Sequence, residues 1–424
     1  MRRDELVGRL RQPYTPSRGW GTARVQREGY ENVWFVVPPP PPRDLPAGLP
    51  AGLIGRANAL LQARPRPLTA QPLDRLTAYL FARREAVSSS RLEGTWSTID
   101  SVLTPADDPE AEAGRSQTLS VRAYAAALEV GAAEIEEQGV RALTVDLLCR
   151  LHALVMSRDP DFRGVPGRLR AAGLPGDVVQ IGGSGRREES LYNPAPPEHV
   201  ERCLDEVMAW LTDEEIIELG EAGMGLSMPL RMAIGHAHFE AVHPFTDGNG
   251  RIGRIIWPLQ MTAAGILPLY LSGYVEQQRQ AYSQALQAAQ KQLAYGDIIA
   301  FLCEAIIASV EEEAAGKSAI AALPDAWERR IRPRRGSTGA RALEMVVSKP
   351  ILTARSLSKD LQVSFQAASS ALNALAKAGV LRERTGHGRN RIFAAEEVIA
   401  ILARPFAEDP EIALEGARRL LGVA

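Results

Sequence analysis

The chain has 424 residues, with 49 Lys plus Arg against 51 Asp plus Glu and 45% hydrophobic residues. That length suggests two or three domains, each able to bury its own core, and the composition excludes wholesale disorder. No uninterrupted apolar stretch is long enough to span a membrane, Met1-Arg2-Arg3-Asp4-Glu5 leads into polar sequence, and Cys149, Cys203 and Cys303 are scattered. These features argue against a membrane partner, secretion, a disulfide framework and a zinc cage, and a cytoplasmic location is expected.

Residues 1–65 read as irregular, and the run Pro38 to Pro42 must be extended, either as a surface spacer or as a ligand for a proline-binding module. Helical periodicity begins near Ala57. Leu73, Leu76 and Leu80 share one helical face. Further helices are expected over about 117–137, 144–157, 197–212, 228–242, 250–264, 276–294 and 297–315. Glycine and proline recur between 160 and 197, where Val178-Val179-Gln180-Ile181 reads as a short strand. A hairpin set among helices suggests a functional flap. The expected organisation is an N-terminal region (1–115), a helical core (116–315), a basic linker (316–340), a small domain (341–400) and a helical tail (401–424). The expected fold class is mainly α, with a small β-hairpin flap.

The richest stretch is His243-Pro244-Phe245-Thr246-Asp247-Gly248-Asn249-Gly250-Arg251-Ile252-Gly253-Arg254. Pro244 ends a helix and leaves His243 at its end. Gly248, Asn249 and Gly250 permit a tight turn with positive φ whose N–H groups form an anion nest. The next helix then opens with its free N–H donors. Arg251 and Arg254, three apart, both reach phosphate oxygens, and Asp247 offers one carboxylate for Mg²⁺. His243 has the side-chain type for a general base near neutrality. Together these describe a phosphate-transfer site. A dinucleotide fingerprint would need a preceding strand, and the chain offers a helix. His236 and His238 point to different helix faces, against a metal cluster. Gly316-Lys317-Ser318 lacks the upstream glycine of a phosphate-binding loop, since Glu311 stands there.

This motif resembles the signature of the Fic family, HPFx(D/E)GNGRxxR, at every defining position. The likeness extends over about residues 30–315. Upstream, Ser89, Glu93 and Gly94 resemble the family's inhibitory-helix motif, (S/T)xxxE(G/N). The resemblance implies a Fic-type helical core and a protein adenylyltransferase that moves AMP from ATP onto a Ser, Thr or Tyr hydroxyl of a protein target, itself included. It implies His243 as base and Asp247 as Mg²⁺ ligand. Gly248, Asn249, Gly250, Arg251, Gly253 and Arg254 would bind the nucleotide phosphates, and Tyr282 would border the adenine pocket. Residues Val178, Val179, Gln180 and Ile181 would align the target segment. Glu93 would pair with Arg254 in place of the γ-phosphate, an arrangement of the subclass with an N-terminal inhibitory helix. Removal of AMP by the same site stays open.

Between Arg329 and Arg391 the chain carries 14 Lys plus Arg against 3 Asp plus Glu, so the near-neutral total hides one strongly basic segment. Thr353 is a good N-cap for a helix reaching Leu361, a break at 362–364 leads to a second helix from Phe365, and 380–393 reads as a basic hairpin. This pattern resembles a winged helix-turn-helix. Arg382, Arg384, Arg389 and Arg391 are its candidate DNA contacts. The second helix, with Gln366, Ser369, Ser370 and Asn373, is poor in arginine, so a DNA-binding regulator and a protein-docking module both stay open, as does a homodimer.

Overall fold

The computed structural model describes residues 1–104, 116–174, 176–184, 186–385 and 391–423. Among them the chain is mainly helical. In chain order the helices are α1 (Ala51–Gln62), α2 (Pro72–Leu92), α3 (Ile99–Leu103), α4 (Ser116–Gln138), α5 (Val145–Met156), α6 (Val200–Leu211), α7 (Glu214–Glu221), α8 (Met228–Val242) and α9 (Asn249–Ala263). They continue as α10 (Ser272–Gln277), α11 (Arg279–Gln292), α12 (Gly296–Arg330), α13 (Thr338–Val346), α14 (Ala354–Leu361), α15 (Phe365–Lys377), α16 (Glu396–Ala403) and α17 (Pro410–Leu421). The strands are β1 (Gly21–Ala23), β2 (Phe35–Val37), β3 (Ile351–Thr353), β4 (Arg382–Glu383) and β5 (Ile392–Ala394). No helix among the described residues is long and apolar enough to cross a membrane.

The chain folds into two compact units. The first comprises Met1–Pro67 and Ala123–Ala308. Its centre is α8, buried from Pro229 to Val242 between α6 and α9, which explains why its apolar residues fall on every face and not along one stripe. α9 is nearly as buried. The N-terminal residues are largely irregular, as expected, yet they are packed into this unit. β1 and β2 pair antiparallel in the register Gly21↔Val37, and Met1, Leu6, Leu10 and Val36 form a core with Tyr192 and Ala241. The proline run also departs from a surface spacer: Pro38, Pro39 and Pro41 are buried, and the indole N–H of Trp210 donates to the Pro42 carbonyl at 3.0 Å. Proline lacks an N–H, so this run can be buried with fewer backbone donors to satisfy.

The flap is less regular than predicted. Val178–Gln180 is not a strand; only Ile181 pairs, in one antiparallel bridge with Tyr192, its N–H donating to the Tyr192 carbonyl at 2.8 Å. Gly182 and Gly183, at φ 62° and 101°, turn the chain immediately after Ile181 and end the pairing there.

The second unit comprises Leu68–Arg122 and Ser309–Ala424. The predicted linker is helical over its first half, because α12 runs through Gly316 and Pro324 to Arg330. Trp327 and Ile320 bury one face of this stretch, so packing overrides the local penalties of glycine and proline. α13, α14 and α15 pack together beside a sheet of order β3-β5-β4. Thr353 caps α14 as predicted, accepting from the Ser356 N–H at 3.0 Å. The third strand and α16, which packs on α2 and α3, were not legible in the sequence.

Candidate functional site

The motif is a loop between the end of α8 and the start of α9. α8 stops at Val242, ahead of the Pro244 ring, and His243 takes the left-handed conformation at φ 51°, its N–H donating to the Phe239 carbonyl at 2.8 Å. For a residue with a Cβ that conformation costs about 1–2 kcal/mol, so the surroundings must hold it.

Arg170, 3% exposed, does much of the holding. Its Nε donates to the His243 carbonyl at 2.8 Å, and its Nη2 to the carbonyls of Val242 and Ala195 at 2.9 and 3.0 Å. Nη1 reaches the Asp177 carbonyl at 2.9 Å. One guanidinium thus satisfies the orphan carbonyls at the end of α8 and ties them to the flap segments. Burial lowers its pKa to about 10, still far above neutrality.

His152 on α5 supports the loop from the other side. Its ring stacks on Phe245 with centroids 3.8 Å apart and planes 6° apart. Nδ1 accepts from the Gly167 N–H at 2.8 Å, which places the proton on Nε2, 3.0 Å from the Asp247 carbonyl that accepts it. Burial lowers its pKa to about 4, so the ring is neutral near pH 7.

Asn249 closes the loop on itself: its Oδ1 accepts from the Phe245 N–H at 2.8 Å and its Nδ2 donates to the Phe245 carbonyl at 2.9 Å. Neither Arg170 nor His152 was among the sequence candidates. Each lies more than 70 residues from the motif and carries no local signature. A buried arginine is unusual enough to signal a role, but burial at that position is not readable from one sequence.

Gly248, at φ 78°, is the turn of the loop, and a Cβ there would meet Met156 Sδ at 2.6 Å. Asn249 and Gly250 do not share the positive φ expected of them, because α9 already begins at Asn249. The anion-binding element is therefore a helix N-terminus rather than a three-residue nest. The Asp247 carboxylate is exposed, with Oδ1 accepting from the Gly248 N–H at 2.6 Å. Arg251 and Arg254 are both buried, and Arg251 Nη1 pairs with Asp159 Oδ2 at 2.6 Å. Gly253 faces α8: a Cβ there would meet Glu240 Oε1 at 2.8 Å and His236 Cε1 at 3.0 Å, so its bare backbone serves the close approach of α8 and α9. Tyr282 sits on α11 with its hydroxyl 2.6 Å from His236 Nε2. His236 and His238 do face different ways, His238 Nε2 lying 2.8 Å from the Tyr295 hydroxyl.

In the second unit, Ser89 is fully buried on α2, Glu93 is the exposed C-cap of that helix, and Gly94 turns the chain at φ 82°. Of the candidate DNA contacts, Arg384 Nη1 pairs with Asp100 and Nη2 with Glu396, each at 2.6 Å. Arg382 lies 3.7 Å from Glu396, and Arg391 pairs with Glu383. These charges are engaged within the unit. Arg389 lies outside the described residues.

Comparison with known proteins finds similarity over two segments. Residues 142–261 match the Fic/DOC family model, and residues 54–133 match the model of the Fic/DOC family N-terminal region. Residues 142–261 are thus similar to the Fic/DOC domain, with a Fic-type N-terminal region before them. It is 36% identical over 80 residues to protein adenylyltransferase fic-1 of Caenorhabditis elegans, an alignment covering 19% of this chain and 14% of that protein. It is 30% identical over 100 residues to a probable protein adenylyltransferase of Aquifex aeolicus, covering 24% and 27% respectively. The alignments therefore span about a seventh and about a quarter of those relatives' lengths. Among solved structures, C. elegans Fic-1 (residues 134–508) is similar at 20% identity, covering 62% of this chain and 71% of that one with a TM-score of 0.48. A Fic family protein from Desulfovibrio desulfuricans G20 is similar at 18% identity, covering 84% and 98%, also with a TM-score of 0.48.

Proposed function

We propose that this Fic chain is a protein adenylyltransferase, transferring AMP from ATP to a hydroxyl side chain of a protein, and that the α2 segment restrains it. The observation that carries the reading is the motif loop itself. It joins a strained, firmly held His243 at the end of α8 to the N-terminus of α9, with the Asp247 carboxylate exposed between them.

His243 takes the proton of the target hydroxyl as its oxygen attacks the α-phosphorus of ATP. The new P–O bond forms as the bond to the bridging oxygen breaks, and pyrophosphate leaves with that electron pair. The first N–H groups of α9 receive phosphate oxygens, and Arg251 and Arg254 receive charge developing on the leaving group. An exposed single carboxylate suits Mg²⁺, which retains several waters and is commonly held by one or two carboxylates plus substrate phosphates. Asp247 would hold it, and the ion would neutralise phosphate charge. The backbone of Val178–Gln180, which makes no backbone hydrogen bond within a sheet among the described residues, suits alignment of an extended target segment.

Glu93, exposed at the end of an otherwise largely buried helix, supports the inhibitory reading. The arrangement of α13, α14 and α15 with β3, β5 and β4 supports a winged helix-turn-helix. The local pairing of Arg382, Arg384 and Arg391 favours protein docking over DNA for that domain.

The test is incubation with Mg²⁺ and α-labelled ATP of the parent chain, Glu93→Gly, and Glu93→Gly with His243→Ala. Label on protein should rise strongly in Glu93→Gly and vanish in the double variant. No label in any sample would overturn the transferase reading, and equal label in parent and Glu93→Gly would overturn the restraint.

A further inference from the structure

Glu240 is a buried carboxylate beside His243, and the sequence motif does not include it. It lies one turn earlier on α8. Because His243 leaves the helix in the left-handed conformation, its Nδ1 lies 3.4 Å from Glu240 Oε2. The Glu240 side chain is 7% exposed and that of His243 16%. Nδ1 itself is fully buried and makes no hydrogen bond in this structure, so the Glu240 carboxylate at 3.4 Å is the acceptor within reach of its proton.

The carboxylate is boxed in. Gly253 of α9 presses against Oε1, leaving no space for even a methyl group there. The charged and titratable groups around the pair are His236 on the same helix, Arg254 on α9, and Arg170, whose Nε holds the His243 carbonyl. Burial pushes the Glu240 pKa up, but His243, His236 and Arg254 outweigh it and bring the carboxyl below its ordinary value. A buried carboxylate that stays ionised needs partners of this kind.

We propose that Glu240 is a positioning residue for His243: it accepts the Nδ1 proton, fixes the tautomer whose Nε2 lone pair is the base, and stabilises the imidazolium formed when the target hydroxyl gives up its proton. The inference rests on the transferase reading for its kinetic consequence, but not for the tautomer. An imidazole has one basic nitrogen when neutral, and a carboxylate on one nitrogen selects the other. Without Glu240 both tautomers are populated and the imidazolium loses its counter-charge.

The test uses the full chain and Glu240→Gln, which keeps size and shape while removing charge. In the Glu93→Gly background, kcat for AMP transfer should fall about 100-fold, with KM for ATP nearly unchanged. The acid limb of the pH–rate profile should move to lower pH, because the protonated ring is no longer stabilised. Glu240→Asp should recover part of kcat. Unchanged kcat and profile in Glu240→Gln would overturn the inference, as would a uniform loss in kcat and KM without a moved limb, the mark of a structural role. Nitrogen-15 NMR of histidine-labelled protein decides the tautomer independently, since the chain has 6 histidines and His243→Ala assigns the signal. The parent should show His243 protonated at Nδ1 above its titration, and protonation at Nε2 there would overturn the inference whatever the activity. No transfer by the parent background would sink the transferase reading instead, while the NMR result would still decide the pair.

Discussion

Arg251 Nη1 and Asp159 Oδ2 are 2.6 Å apart, and their side chains are only 3% and 7% exposed. A guanidinium at the first turn of α9 is thus fixed by a carboxylate just beyond the end of α5. Removing one partner of a buried pair weakens the compensation of the other charge and is destabilising, by up to about 3–5 kcal/mol. Asp159→Ala should lower the melting temperature accordingly. If Arg251 meets nucleotide phosphate, the ligand replaces the lost carboxylate, so ATP should raise the melting temperature of Asp159→Ala more than that of the parent. Equal shifts in both proteins would show that Arg251 does not face the phosphates.

This pair also shows where the sequence was readable and where it was not. His243, Pro244, Gly248 and the start of α9 lie within a dozen residues and act through backbone rules, so their geometry could be anticipated from local chemistry. Asp159, His152 and Arg170 support the same loop from a distance. Their side chains carry no periodicity or motif, and only the packing of α5, α8 and α9 brings them together. The flap failed for a related reason. An apolar run such as Val178–Ile181 satisfies strand propensity, but pairing needs a partner, and the glycines after Ile181 leave room for one bridge. Buried helices, whose apolar residues cover the whole circumference, could be located but not oriented.

Three buried histidines make stability fall in mild acid. Burial lowers the pKa values of His152 and His236 to about 4 and that of His238 to about 3, against an unfolded value near 6.5. Below 6.5 the unfolded chain takes up protons that the folded chain refuses. Their contribution is therefore complete above pH 6.5 and is lost as pH falls toward the folded values. Each ring contributes a slope approaching about 1.4 kcal/mol per pH unit, well above the range where ordinary carboxylates titrate. Denaturant melts between pH 7 and 5 should show this loss. His238→Gln, which retains a hydrogen-bonding group for the Tyr295 hydroxyl, should reduce the slope. A flat response in that window would contradict neutral burial of these rings.

In the second unit, Glu312 binds two arginines. It pairs with Arg84 of α2 and, at 2.6 Å, with Arg404 at the end of α16, and its Oε2 accepts from the Ala407 N–H at 3.0 Å. Arg84 Nη2 in turn donates to the Arg404 carbonyl at 3.0 Å. Burial holds Arg404 down to about 10 despite Glu312, Glu408 and Asp409 around it, so this cation persists near neutrality, and Glu312 is the carboxylate it shares with Arg84. Glu312→Gln removes that anion while keeping the side chain's shape. Breaking the network should cost about 3–5 kcal/mol and lower the melting temperature of the full chain. Arg84 stands nine residues before Glu93 on the helix proposed to restrain transfer. If that restraint depends on the seating of α2, Glu312→Gln should also raise AMP incorporation at temperatures well below its melt. A destabilised protein with unchanged incorporation would separate the anchor from the restraint, and an unchanged melt would mean that the two arginines find compensation elsewhere.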